Sequence, residues 1–125
     1  MVFTMMVLAG RKDGITHEEF KRRYEQHMLL VEEICGDAMP LKHTRWYPPH
    51  GADGKPILLS GNTDEMYYDV IATITFEDKA GMERFSAALT APEADARIMA
   101  DEAGFWDRNK MHVTVGGDVK VWEKK

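Results

Sequence analysis

The sequence predicts an α+β domain whose elements run β-α-β-β-α-β. Three observations point there. An amphipathic helix pattern follows an opening apolar strand. Two strand-like runs then follow one another with no helix between them. A second helical region and a final strand close the chain. At 125 residues the chain is sized for a single domain, residues 1–125, with one core and one pocket.

The elements follow in order. Phe3 to Ala9 is a continuous apolar run ending at Gly10, and it reads as a strand buried on both faces. Thr16 and Glu19 form a capping-box pair that starts a helix. Phe20, Tyr24, His27, Val31 and Ile34 then recur at steps of four and three, on one stripe, and Gly36 is placed to end the helix. Leu41 to Tyr47 alternates, with Leu41, His43, Arg45 and Tyr47 on one face and Lys42, Thr44 and Trp46 on the other. Pro48 to Asp64, dense in Gly, Pro, Asn and Asp, is a long connection of the kind used for lids and binding loops, or a passive surface loop.

Tyr67 to Phe76 is rich in aromatic and β-branched residues and reads as a strand. Val70, Ala72, Ile74 and Phe76 share one face, and Asp69, Ile71, Thr73 and Thr75 the other. Asp78 caps a helix to about Leu89 with Met82, Phe85 and Leu89 inward; Pro92 opens another reaching about Ala103. His112 to Val115 is the fourth strand, and Val119 to Trp122 an extension beyond Gly116-Gly117. This order is the ferredoxin-like split βαβ arrangement. Its helices cover one sheet face, so the other needs a cover. A second copy of the same sheet supplies one, which predicts a homodimer in which two sheets form an α+β barrel.

Composition removes several classes. Sixteen Lys and Arg against 21 Asp and Glu give a net charge of −5, without the basic footprint of a nucleic-acid partner. No apolar run is long enough for a membrane span, and the first ten residues do not resemble a signal peptide. One cysteine, Cys35, precludes an intramolecular disulfide and a Cys-based zinc site, and fits a reducing, cytoplasmic setting. No phosphate-binding Gly-rich motif, nucleophile elbow or paired-histidine metal spacing occurs, so no metal and no cofactor is expected.

The candidates for chemistry are histidines with polar neighbours. His27 lies on the apolar helix stripe, as a satisfied core histidine or as a base in a pocket. His43, Arg45 and Tyr47 share a strand face that is either an exposed edge or a pocket wall. In the latter case Arg45 holds a carboxylate or enolate oxygen. Asp69 either orients a histidine or starts its strand near water, and His112 is a further candidate for the same cavity. Tyr24, Tyr68, Phe105 and Trp106 supply aromatic lining for a substrate. His17 and His50 read as solvent-exposed. Together these residues suit proton transfer on a flat organic substrate.

The run Arg11-Lys12-Asp13-Gly14-Ile15-Thr16-His17-Glu18-Glu19-Phe20, followed by Glu25-Gln26-His27, resembles the opening of EthD-domain proteins. Pro40 to Arg45, with its His43-Thr44-Arg45, is similar to a strand of fungal members, and Tyr68-Asp69-Val70 and Asp101 to Asp107 also match. Met28 stands where many members carry a second histidine, which departs from any two-histidine arrangement on this helix. The resemblance implies a dimeric α+β barrel and, for fungal members, a cofactor-free lyase acting on an aromatic polyketide acid in secondary metabolism. Of these, the decarboxylase type is the nearest likeness. Related activities on the same fold are dehydration, cyclisation and cofactor-independent oxygenation of an anthrone-like polyketide; a non-catalytic dimer binding an aromatic ligand is the remaining class. The family histidines correspond to His27 and His43.

Overall fold

The computed structural model describes residues 2–125. Its elements are β1 (Phe3–Arg11), α1 (His17–Cys35), β2 (Lys42–Trp46), β3 (Val70–Phe76), α2 (Lys79–Thr90), α3 (Pro92–Glu102) and β4 (Trp106–Val115). The four strands form one antiparallel sheet in the order β2-β3-β1-β4, and the helices lie on one face. This is the ferredoxin-like α+β fold.

Local chemistry sets the boundaries. Thr16 Oγ1 accepts the Glu19 N–H at 3.1 Å and starts α1, a contact whose loss costs about 1 kcal/mol. Gly36 ends α1 at φ 49°, a left-handed value that glycine adopts without steric penalty. Asp78 Oδ1 accepts the Gly81 N–H at 2.8 Å and starts α2. Pro92 sits in the first turn of α3, where its missing N–H is not needed.

The core lies between sheet and helices. Val70, Ala72, Ile74 and Phe76 of β3 meet Phe20, Tyr24 and Val31 of α1, Phe85 of α2 and Ile98 of α3. Phe20, Phe76 and Phe105 are fully buried, and each such ring contributes about 1.5–3 kcal/mol by leaving water.

Three expectations about the strands are corrected. β1 is not buried on both faces: Val7 and Ala9 face the helices, whereas Met6, on the other face, is exposed. β4 begins at Trp106, six residues before His112. Its pairing with β1 slips between Ala9 and Gly10, so Arg108, Asn109 and Lys110 bulge out of the ladder. Polar residues in that bulge hid the strand from pattern reading. Val119 to Trp122 is irregular rather than a strand, because Gly116 and Gly117 both adopt positive φ and turn the chain off the sheet.

Candidate functional site

A cavity of about 350 Å³ lies between the sheet and the three helices. Its floor is Met5 and Val7 of β1, His43 of β2, Ile74 of β3 and Met111 and Val113 of β4. Its roof includes Tyr24, His27 and Met28 of α1, Phe85 of α2 and Ile98 of α3. Trp106 closes one side. Four methionines (Met5, Met28, Met39, Met111) make much of this wall pliable and apolar.

His27 is the buried imidazole of the roof, its side chain 4% exposed. Its Nδ1 lies 2.7 Å from Asp101 Oδ2 on α3. The carboxylate accepts the Nδ1 proton, which leaves Nε2 with its lone pair as the nitrogen available to a ligand. The rings of Phe105 and Trp106 meet His27 edge to face and fix its orientation. A histidine whose tautomer and plane are set by a carboxylate is the arrangement a general base requires.

His43 faces the same cavity from β2. Burial, reinforced by the nearby Arg45 cation, lowers its pKa to about 4. It is therefore neutral at physiological pH. Tyr24 lines the cavity too, and burial pushes its hydroxyl well above the usual tyrosine range, so it stays protonated.

The other predicted site residues fall elsewhere. Arg45 does not line the cavity; its Nε and Nη2 donate to Glu25 at 2.6 and 3.0 Å, and Tyr47 donates to the same carboxylate. Burial alone would raise the Glu25 pKa, but the bonds from Arg45 and Tyr47 hold it below the usual carboxylate range. Phe105 is core, packed on Phe20 and Tyr24. His112 is exposed on the opposite sheet face, paired with Leu8 in register, its Nδ1 2.6 Å from the Tyr68 hydroxyl. The expectation that His112 shares the cavity with His27 and His43 is thereby corrected.

Asp69 orients a histidine, but one outside the cavity. Only 1% exposed, its carboxylate accepts from the Arg11 backbone N–H at 2.8 Å, Arg11 Nη1 at 2.6 Å and His17 Nδ1 at 2.7 Å. His50 Nε2 lies 3.2 Å away. His17 and His50, expected at the surface, are instead buried at their rings and stacked at 3.5 Å. Their rings lie within 13° of parallel, so the ring lone pairs occupy separate planes. One metal ion cannot lie in both, and the Arg11 guanidinium already holds the shared oxygen. The cluster anchors the long β2–β3 connection instead. Arg11 Nη2 donates to Gly54 O, and His50 Nδ1 donates to Pro48 O, each at 2.7 Å.

Residues 12–109 match the model of the EthD domain. The chain belongs to the EthD domain family. No curated protein matches it. An ethyl tert-butyl ether D (EthD) family protein from Bacillus halodurans C-125 is similar in structure, with TM-score 0.59 at 13% identity, covering 95% of this chain and all of the other. An Arabidopsis thaliana protein gives TM-score 0.61 at 21% identity, covering 97% and 99%. A Bacteroides fragilis protein described as dimeric, ferredoxin-like and of unknown function gives 0.54 at 14% identity, covering 91% and 93%. At these identities the likeness of this EthD chain to solved structures establishes the fold.

Proposed function

We propose that this EthD-domain protein is a cofactor-free lyase that moves a proton at carbon on a flat aromatic polyketide, by dehydration, cyclisation or decarboxylation. The His27–Asp101 pair carries the reading: a buried imidazole with one nitrogen tied to a carboxylate, set in the wall of a pliable apolar cavity. His27 Nε2 takes a proton from carbon, the Asp101 carboxylate stabilises the imidazolium formed, and the same nitrogen returns the proton to a leaving oxygen or a carbanion. Arg45, engaged by Glu25, serves to fix β2 against α1.

Two copies pack through the open sheet face, where Trp46 is 60% and Met6 37% exposed beside the half-buried Leu8 and Ile71. Apolar residues gathered on one face in this way mark an interface. The dimeric description of the Bacteroides relative supports a dimer here. The lone Cys35, buried in α1, supports a cytoplasmic setting.

Mass spectrometry of incubations with tricyclic polyketides, as free acids and as neutral ketones, tests the reading. Loss of water or of CO₂ that disappears in His27→Gln is the expected result. A folded His27→Gln with full turnover ends the proposal.

A further inference from the structure

The last strand and the tail beyond it carry features that fit each other. β4 is an edge of the sheet. The Gly116 N–H donates to Thr4 O on β1 at 2.9 Å. Backbone direction alternates along an antiparallel strand, so Thr114 and His112 also turn toward β1. Met111, Val113 and Val115 then turn their N–H and C=O groups to the outer edge, where no strand lies among the described residues. Past β4, Val119, Val121 and Trp122 are exposed, Trp122 at 84%. An open edge beside an apolar alternating segment is a template for strand addition.

The turn between the two fits a hairpin. Gly116 and Gly117 adopt φ of 78° and 79°. A two-residue type I′ loop needs positive φ at both central residues. Closing there makes Val115 and Asp118 the hydrogen-bonded pair beside the loop, and Val115 is one of the residues whose backbone groups face outward. The register follows from that pair: Thr114 opposite Val119, Val113 opposite Lys120, His112 opposite Val121 and Met111 opposite Trp122. Residues directly opposite share a sheet face. Met111 and Val113 line the cavity, so Trp122 comes to its β4 edge, where Val113 is 48% exposed. Val119 and Val121 join His112 on the open face. A single chain gives those two valines nothing to pack on, and an added hairpin strand without such packing is marginal. A second copy laid on the open face covers them.

We propose that residues 118–122 close onto β4 as a fifth strand when two copies pair, and that Trp122 thereby completes the cavity wall at its β4 edge. This rests on the dimer proposed above and not on the lyase reaction.

Amide hydrogen exchange followed by NMR on the full chain tests the closure. In the dimer the Val113 and Val115 amides should exchange about tenfold or more slowly than in a chain stopped after Gly117. Trp46→Lys, as a monomer, should match the shortened chain. The Thr114 amide, turned toward β1, should be equally protected in all three and so reports an intact fold. The same spectra should place the Trp122 ring against the Met111 methyl group. In a Cys35→Ala background, His112→Cys with Val121→Cys should form a disulfide within one chain, and His112→Cys with Lys120→Cys, on the other face, should not. Should a cysteine variant fail to fold, the exchange comparison decides alone. Equal exchange at Val113 and Val115 in the natural dimer and the shortened chain would overturn the inference, as would equal bridging by both cysteine pairs. A disulfide joining two chains would overturn the hairpin within one chain, and protected amides without the Trp122–Met111 contact would overturn the role of Trp122. A natural protein that sediments as a monomer would overturn the dimer and the closure with it, whereas a dimer with unprotected edge amides would overturn the closure alone.

Discussion

Replacing Asp69 with Asn separates scaffold from site. The carboxylate accepts three hydrogen bonds, two on Oδ1 and one on Oδ2, all at 2.6–2.8 Å. An amide in the same place keeps one oxygen and turns an NH₂ group toward an N–H donor, and it leaves the Arg11 cation without its counter-charge. Removing one partner of a buried ion pair costs about 3–5 kcal/mol. Unfolding entropy runs at about 2.1 cal/mol/K per residue. For 125 residues a degree of melting temperature is then worth about 0.26 kcal/mol. Asp69→Asn should lower the melting temperature by roughly 10–20 °C, measured by scanning calorimetry. Assayed well below its midpoint, it should still accelerate proton exchange at the carbon between the carbonyls of 2-acetyl-1-tetralone. A midpoint within about 3 °C of the natural protein would refute the buried-anchor argument. Lost exchange with an intact fold would return Asp69 to the site.

Three further outcomes follow from the same geometry. Because His43 titrates near 4, its neutral form is the one the fold favours, and the unfolded chain binds that proton first. Stability should therefore fall as pH drops from about 6.5 toward 4, and His43→Phe should flatten part of that slope in urea unfolding curves. His50, lowered by burial, contributes in the same direction. Trp46→Lys, placing a charge on the open sheet face, should convert a dimer to a monomer in sedimentation velocity at micromolar concentration; an unchanged dimer would move the interface elsewhere. Turnover under argon should equal turnover in air, and a stall without oxygen would favour the oxygenase class instead.

Periodicity made the fold legible. Steps of three and four on α1 and of two on β2 and β3 register which face is buried, and burial is what the sequence pattern encodes. Two of the cavity's central residues were legible for the same reason, since His27 and His43 sit on inward faces. Asp101 was not, because it meets His27 across 74 residues through the packing of α3 on α1. His17 and His50 looked exposed from their local positions, a helix start and a loop. Only the fold of that loop over Asp69 buries them, and Arg11 and Asp69 at strand ends were the one available signal. His112 was misplaced although Val113 and Val115 alternate with it; the apolar pair marks the helix side, which puts His112 on the open face.

Deuterium uptake from D₂O at the carbon between the carbonyls of 2-acetyl-1-tetralone, measured by mass spectrometry, tests most directly that His27 moves a proton at carbon. The natural protein should accelerate it over buffer, and His27→Gln, folded to the same melting temperature, should lose about 10²-fold or more of that acceleration. An undiminished rate in His27→Gln would contradict the account.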